Sequence, residues 1–457
     1  MRPKRSNDED PQGYLLNPEL EDLIDGDHAL VRLAKVIPWK MLEERFGEYY
    51  VEKVGCPGRP THLMAGLQYL KYTYNLSDEE TVARWVENPY WQYFCGEKYF
   101  RHRCPIDPSS LSRWRKRIGE KGAEELLRAT TEAGLRTKVI TARSCEKVNV
   151  DTTVQEKAVA YPTDGGLYER MRAKLVRMAD RVGVGLRQKY PKVSRRHLRR
   201  AWSYFHARQH RRGQGEVRKL RTILGRVKRD IERKIAGNED LRKYFEKVLA
   251  LADRLWKQRR EDKEKLYSVH APEVECIAKG KVHKKYEFGN KVGVVTTSRE
   301  GFVIGIKGFH GNPYDGHTLG ACLEQAERVI GRAIRGDVFV DRGYRGHDYE
   351  GEATVHIAGK KRLSRTLKRW LRRRSAIEPK IAHLKHHSRM GRNYLLGVEG
   401  DRINPVLCGC GVNLRKILGE VRLFFCLWLF LGKKGVPNAL RDLGNNRISF
   451  RPRFLAA

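Results

Sequence analysis

The chain lacks what an oxidising or membrane setting would require. Its nine cysteines, at 56, 95, 104, 145, 276, 322, 408, 410 and 426, are odd in number and include no CxxC pair. That excludes a disulfide framework and the common zinc clusters, and fits reduced thiols in the cytoplasm. Cys408-Gly-Cys410, the one close pair, reads as small-residue packing. Long apolar runs are missing too. VRLFFCLWLFL (421–431) spans 11 residues, too few to cross a bilayer, and reads as a buried helix or strand. The opening MRPKRSNDEDPQG is polar, without a secretion signal, and residues 1–13 are expected to form a flexible tail. Acids are scarce: 55 Asp and Glu against 92 Lys and Arg.

What is present is positive charge on a folding chain. A net charge of +37 repels itself unless a polyanion is near, and it favours binding to phosphate backbones through counterion release. Double-stranded DNA is the expected partner, in preference to a membrane or an acidic protein, with the protein in the cytoplasm and associated with the nucleoid. At 457 residues with 40% hydrophobic content, two or three domains are expected. Residues 14–140 repeat apolar side chains every three and four positions, as in HLMAGLQYLKYTY (62–74), which predicts a helical domain. Ser77, followed by Asp78, Glu79 and Glu80, predicts a helix start. The segment 108–127 carries Arg113, Arg115 and Lys116 on a short helix after another helix, with Ser109 or Ser110 as its cap. That pattern suits a DNA-binding helix-turn-helix as well as a solvated bundle face.

From 145 to 425 the pattern is mixed α/β. VNVDTTV places Asp151 inside a β-branched strand, where a carboxylate without a partner is costly. Residues 168–266 read as two or three basic helices inserted as a unit, with aromatics among arginines (RRAWSYFHARQHRR). His206 and His210 read as surface histidines. Two alternating runs at 283–308 flank SREG as a hairpin, and a helix follows from about Thr318. A strand (Val338 to Val340) then ends at Asp341, at the mouth of an open sheet. If the strands of Asp151 and Asp341 are neighbours, their carboxylates lie about 5 Å apart. Mutual repulsion calls for a divalent cation, and oxygen ligands select Mg²⁺ or Mn²⁺. Finally RRRSAIEPKIAHLK sets Arg374, Glu378 and Lys385 within roughly 40° on one helical face. Pro379 should kink or restart that helix. Residues 426–457 read as a C-terminal tail.

VNVDTTVQEKAVAYPTD, VDRGYRG and RRRSAIEPKIAHLKHHSRMGRNYL resemble the three blocks of a DDE transposase from bacterial insertion sequences, of the insertion-sequence-five type. PGRPTHLMAGLQYLKYTYNLSDEETVARW resembles that group's N-terminal region. Arg374, Glu378 and Lys385 match the spacing of the signature around the third acid, with Leu371 where relatives carry Tyr. The resemblance implies a ribonuclease-H-like mixed sheet flanked by helices and two Mg²⁺ ions held by Asp151, Asp341 and Glu378. It also implies cleavage and joining of transposon ends by a homodimer. Arg374, Lys385, Arg342 and Arg345 are the expected phosphate contacts. The alternative is a catalytically inactive DNA-binding regulator derived from a transposase.

Overall fold

The computed structural model describes residues 3, 18–51, 57–259, 261–278, 285–359 and 363–432, with side chains to 420. The expected tails, apart from Pro3 and the backbone of 426–432, lie outside these residues, as do the side chains of 421–431. The first half of the chain is helical: α1 (Leu20–Leu23), α2 (Ala29–Val36), α3 (Trp39–Gly47), α4 (Thr61–Tyr74), α5 (Asp78–Glu87), α6 (Pro89–Phe94) and α7 (Ser109–Arg136). Ser77 caps α5 in a reciprocal box with Glu80, each satisfying a backbone N–H that the helix leaves unpaired. The cap of α7 differs from expectation. Asp107 accepts from both the backbone N and the Oγ of Ser109, at 2.9 and 2.5 Å. Gly119 (φ 61°, ψ −163°) interrupts α7, so its basic first segment ends there.

The second half builds one mixed sheet. Its elements are β1 (Lys147–Glu156), α8 (Asp164–Arg181), α9 (Pro191–His206), α10 (His210–Ile235), α11 (Glu239–Lys257), β2 (Glu275–Ala278), β3 (Tyr286–Thr297), β4 (Val303–Phe309), α12 (Asp315–Ile330), β5 (Asp337–Val340), β6 (Thr354–Ile357), α13 (Arg365–Arg373), α14 (Ile377–His387) and α15 (Gly397–Gly432). The hairpin is β3–β4, turned at Gly301 (φ 60°). Strand β3 pairs antiparallel with β1 on one edge and with β2 and β4 on the other. Beyond β1 come β5 and β6, both parallel.

One apolar core runs from Leu30 through Leu127 and Val294 to Leu418, so the N-terminal helices pack on the sheet instead of closing a core of their own. Tyr72 of α4 donates to Asn404 of α15 at 3.0 Å across that junction. The insertion is four helices, one more than expected, around a second core of Met171, Leu175, Leu224 and Phe245. Seven described cysteines are all free, and no described helix is long and apolar enough to cross a membrane.

Candidate active site

Parallel pairing of β1 and β5 matches Lys147 with Asp337, Val148 with Val338 and Asn149 with Phe339. Carrying that register two residues on sets Asp151 level with Asp341, about one strand spacing away. Valines at 148, 150 and 154 anchor β1 in the core, while Asp151 and Thr152 are half-buried. One Asp151 oxygen accepts from the backbone N of Thr152 at 2.8 Å, and the other lies 3.3 Å from Nη1 of Arg374. Asp341 sits just past β5, and its Oδ1 accepts from the Gly343 N at 2.9 Å.

A third acid, Asp315, joins this rim and was missed in the sequence. Its Oδ1 accepts from Thr152 Oγ1 and from Lys291 Nζ, each at 2.9 Å. Its Oδ2 and both Asp341 oxygens crowd the same face of Gly343, where a Cβ would stand 3.1 to 3.6 Å from them. Behind them Tyr344 is fully buried, its hydroxyl without a hydrogen-bond partner. Burial drives that hydroxyl's pKa far up, and the negative charge of Asp151, Asp315 and Asp341 adds to the rise. The signal for Asp315 in the sequence was only PYDGH, where an aspartate at a helix start reads as ordinary first-turn charge.

The third expected acid lies differently. Chain continuity from α13 to α14 is broken by a 3₁₀ turn at Arg374–Ala376, so Arg374 does not share one regular helix with Glu378 and Lys385. The restart comes two residues before Pro379, which falls in the first turn of α14, where a proline is tolerated. Ile377 is buried and Glu378 is exposed. Among the described residues, no group of three or more His, Cys, Asp or Glu side chains stands close enough to hold a metal ion. Glu378 is exposed on α14, which packs against β1, and Arg374 supplies the countercharge at Asp151. The donor chemistry fits a hard divalent cation nonetheless, because the rim offers carboxylate oxygens and no sulfur or imidazole ligand is needed.

Of the expected DNA contacts, Arg113, Lys116, Arg342 and Arg345 are exposed, and Lys385 is half-buried. Arg115 is not available. It is 3% exposed and grips both oxygens of Asp78, at 2.9 and 2.6 Å, beside Lys71 at 2.7 Å. Burial alone would raise the Asp78 pKa, but Arg115 and Lys71 together outweigh it and hold the carboxyl at about 2. Arg115 thus ties α7 to α5 inside the core.

Residues 18–117 match the family model described as "Transposase domain (DUF772)", and residues 256–407 match "Transposase DDE domain". The two together span more than half of the chain. The chain is also 51% identical over 209 residues to "Uncharacterized protein ORF8 in nfe locus" from Rhizobium meliloti, a match covering 46% of this chain and 100% of the relative. No solved structure matches. With acid-bearing strands paired at one rim and both transposase models matched, the chain belongs to the DDE transposase family.

Proposed function

We propose that this transposase is of the insertion-sequence-five type, with a ribonuclease-H-like core, and that it cleaves transposon ends and joins their 3′-hydroxyls to target DNA. The observation that carries the reading is the β1/β5 register, which, carried two residues past its last pair of Asn149 with Phe339, sets Asp151 level with Asp341. The sheet order supports it: three antiparallel strands (β4, β3, β1) followed by two parallel ones.

Asp151 and Asp341, with Glu378 as third ligand, would hold two Mg²⁺ ions, for which Mn²⁺ can substitute. Such ions, when bound, lower the pKa of the attacking water or hydroxyl and stabilise the leaving 3′-oxygen. The protein's own part is positioning. Arg374 would exchange Asp151 for a phosphate, gripping it bidentately, and Lys385 would add a point charge beside it. Arg342 and Arg345, exposed in the turn after Asp341, flank the same strand end. Water as nucleophile nicks the element's end, and a 3′-hydroxyl joins it to the target. Both steps are direct displacements on phosphorus, so no covalent enzyme intermediate forms. Joining two ends places two copies of the chain on DNA, as a homodimer at the nucleoid.

The test is strand transfer of labelled fragments from the flanks of the protein's own gene, with Mg²⁺. Asp151→Ala, Asp341→Ala and Glu378→Ala should each abolish joining while binding persists. Full joining by all three variants would end the proposal.

A further inference from the structure

The inserted helices carry two unlike surfaces. On α11 charges alternate and pair, as in Lys243 with Glu239 and Lys257 with Asp253. On α9 they do not. From Arg181 to Gly215 the chain has eleven Lys and Arg and not one Asp or Glu. Ser194 and Ala201 are buried and Leu198 packs on the insertion's core, which fixes the inward face of α9. At 100° per residue, Lys192, Arg195, Arg196, Arg199 and Arg200 then share the outward half, and all five are exposed. Among the described residues, none of these five forms an ion pair. The two acids that flank the stretch are both occupied, Asp180 by Lys189 at 2.8 Å and Glu216 of α10 by His197 at 2.5 Å and Lys219 at 2.6 Å. Like charges at i, i+4 (Lys192 with Arg196, Arg195 with Arg199, Arg196 with Arg200) weaken a helix that has no counterion. The row continues past the end of α9 through Arg208, Arg211 and Arg212, all exposed.

We infer that the outward face of α9 is a docking surface for the phosphate backbone of duplex DNA, bound without regard to sequence and apart from the acidic rim. This rests on the transposase reading only for the DNA's identity as element or target. Charge complementarity selects the occupant. Four of the five cations are arginines, whose planar forks match phosphate oxygens bidentately. Val193, Trp202 and Phe205 are also exposed on α9, so an anionic membrane is the competing occupant that the vesicle arm of the test addresses.

The experiment is fluorescence anisotropy of the full chain with a mixed-sequence duplex across a salt series. The variants are R195A/R196A/R199A/R200A and the milder R196A/R200A, both checked by circular dichroism; alanine favours the helix, so the fold should persist. Each lost phosphate contact should flatten the log affinity against log salt slope by about 0.9. The fourfold variant should therefore lose about 3 to 4 in slope and at least tenfold in affinity, equally on every sequence. Lys243→Ala/Lys247→Ala on α11 should change neither. Unchanged slope and affinity in the folded fourfold variant would overturn the inference. So would loss of binding to phosphatidylserine vesicles with duplex binding intact. Because binding is read without cleavage, this result stands or falls separately from the joining assay on Asp151→Ala.

Discussion

Two arginine-rich helical segments in this molecule look alike on paper and behave as opposites. The start of α7 carries Arg113, Arg115, Lys116 and Arg117; the middle of α9 carries Arg195, Arg196, Arg199 and Arg200. In α7 one arginine turns inward and meets a carboxylate that arrives from α5, 37 positions earlier. In α9 the carboxylate that arrives, Glu216 of α10, meets His197 and none of the four arginines. A cation is structural or available according to what the fold brings to it, and local sequence does not carry that information.

The contrast can be broken by substitution. Arg115→Ala strands Asp78 in the core and should cost about 3–5 kcal/mol in denaturant unfolding. A loss below about 1 kcal/mol would put Arg115 back among the surface cations. Next in size is an acid dependence. The Asp78 carboxyl is held at about 2, below its ordinary 3.8. A depressed acid contributes stability that is complete above the unfolded value and vanishes as pH falls through the folded one. About 2 kcal/mol should therefore disappear between pH 4 and pH 2, and an Asp78→Asn variant should lack that step. Arg374 stands between the two cases, 15% exposed and 3.3 Å from Asp151. Arg374→Ala should cost only about 1 kcal/mol in melting experiments, yet strand joining should fall at least tenfold. Equal losses in both would make it a structural residue like Arg115. The smallest effect belongs to Arg113→Ala, expected within about 0.5 kcal/mol of wild type, with reduced duplex affinity as its main consequence.

Much of the sheet was legible beforehand because its signals are local. The β-branched run around Asp151, the SREG turn and the strand ending at Asp341 each follow from patterns within a dozen residues. The Ser77 box is equally local. Misreadings came where distant segments meet. Arg115 needed Asp78, and Asp315 needed Thr152 and Lys291, none of which periodicity links. Arg374, Glu378 and Lys385 would share one face only on an unbroken helix, whereas the chain takes a tighter 3₁₀ turn at Arg374–Ala376 before α14 begins. The fourth helix of the insertion was hidden because one basic stretch, PKVSRRHLRRAWSYFHARQHRR, covers both α9 and the start of α10, parted by Arg208 at φ 57°.

The pairing around Gly289 has one more consequence. That residue faces Glu156, where the chain departs for the four helices, and also Glu275, where it comes back. Departure and return are thus about two strand widths apart, roughly 10 Å, on either side of a single residue. A short linker could bridge that gap, so more than a hundred residues hang from the sheet like a loop on a hook. Evolution can enlarge, recharge or discard such an appendage while the acid-bearing strands keep their register.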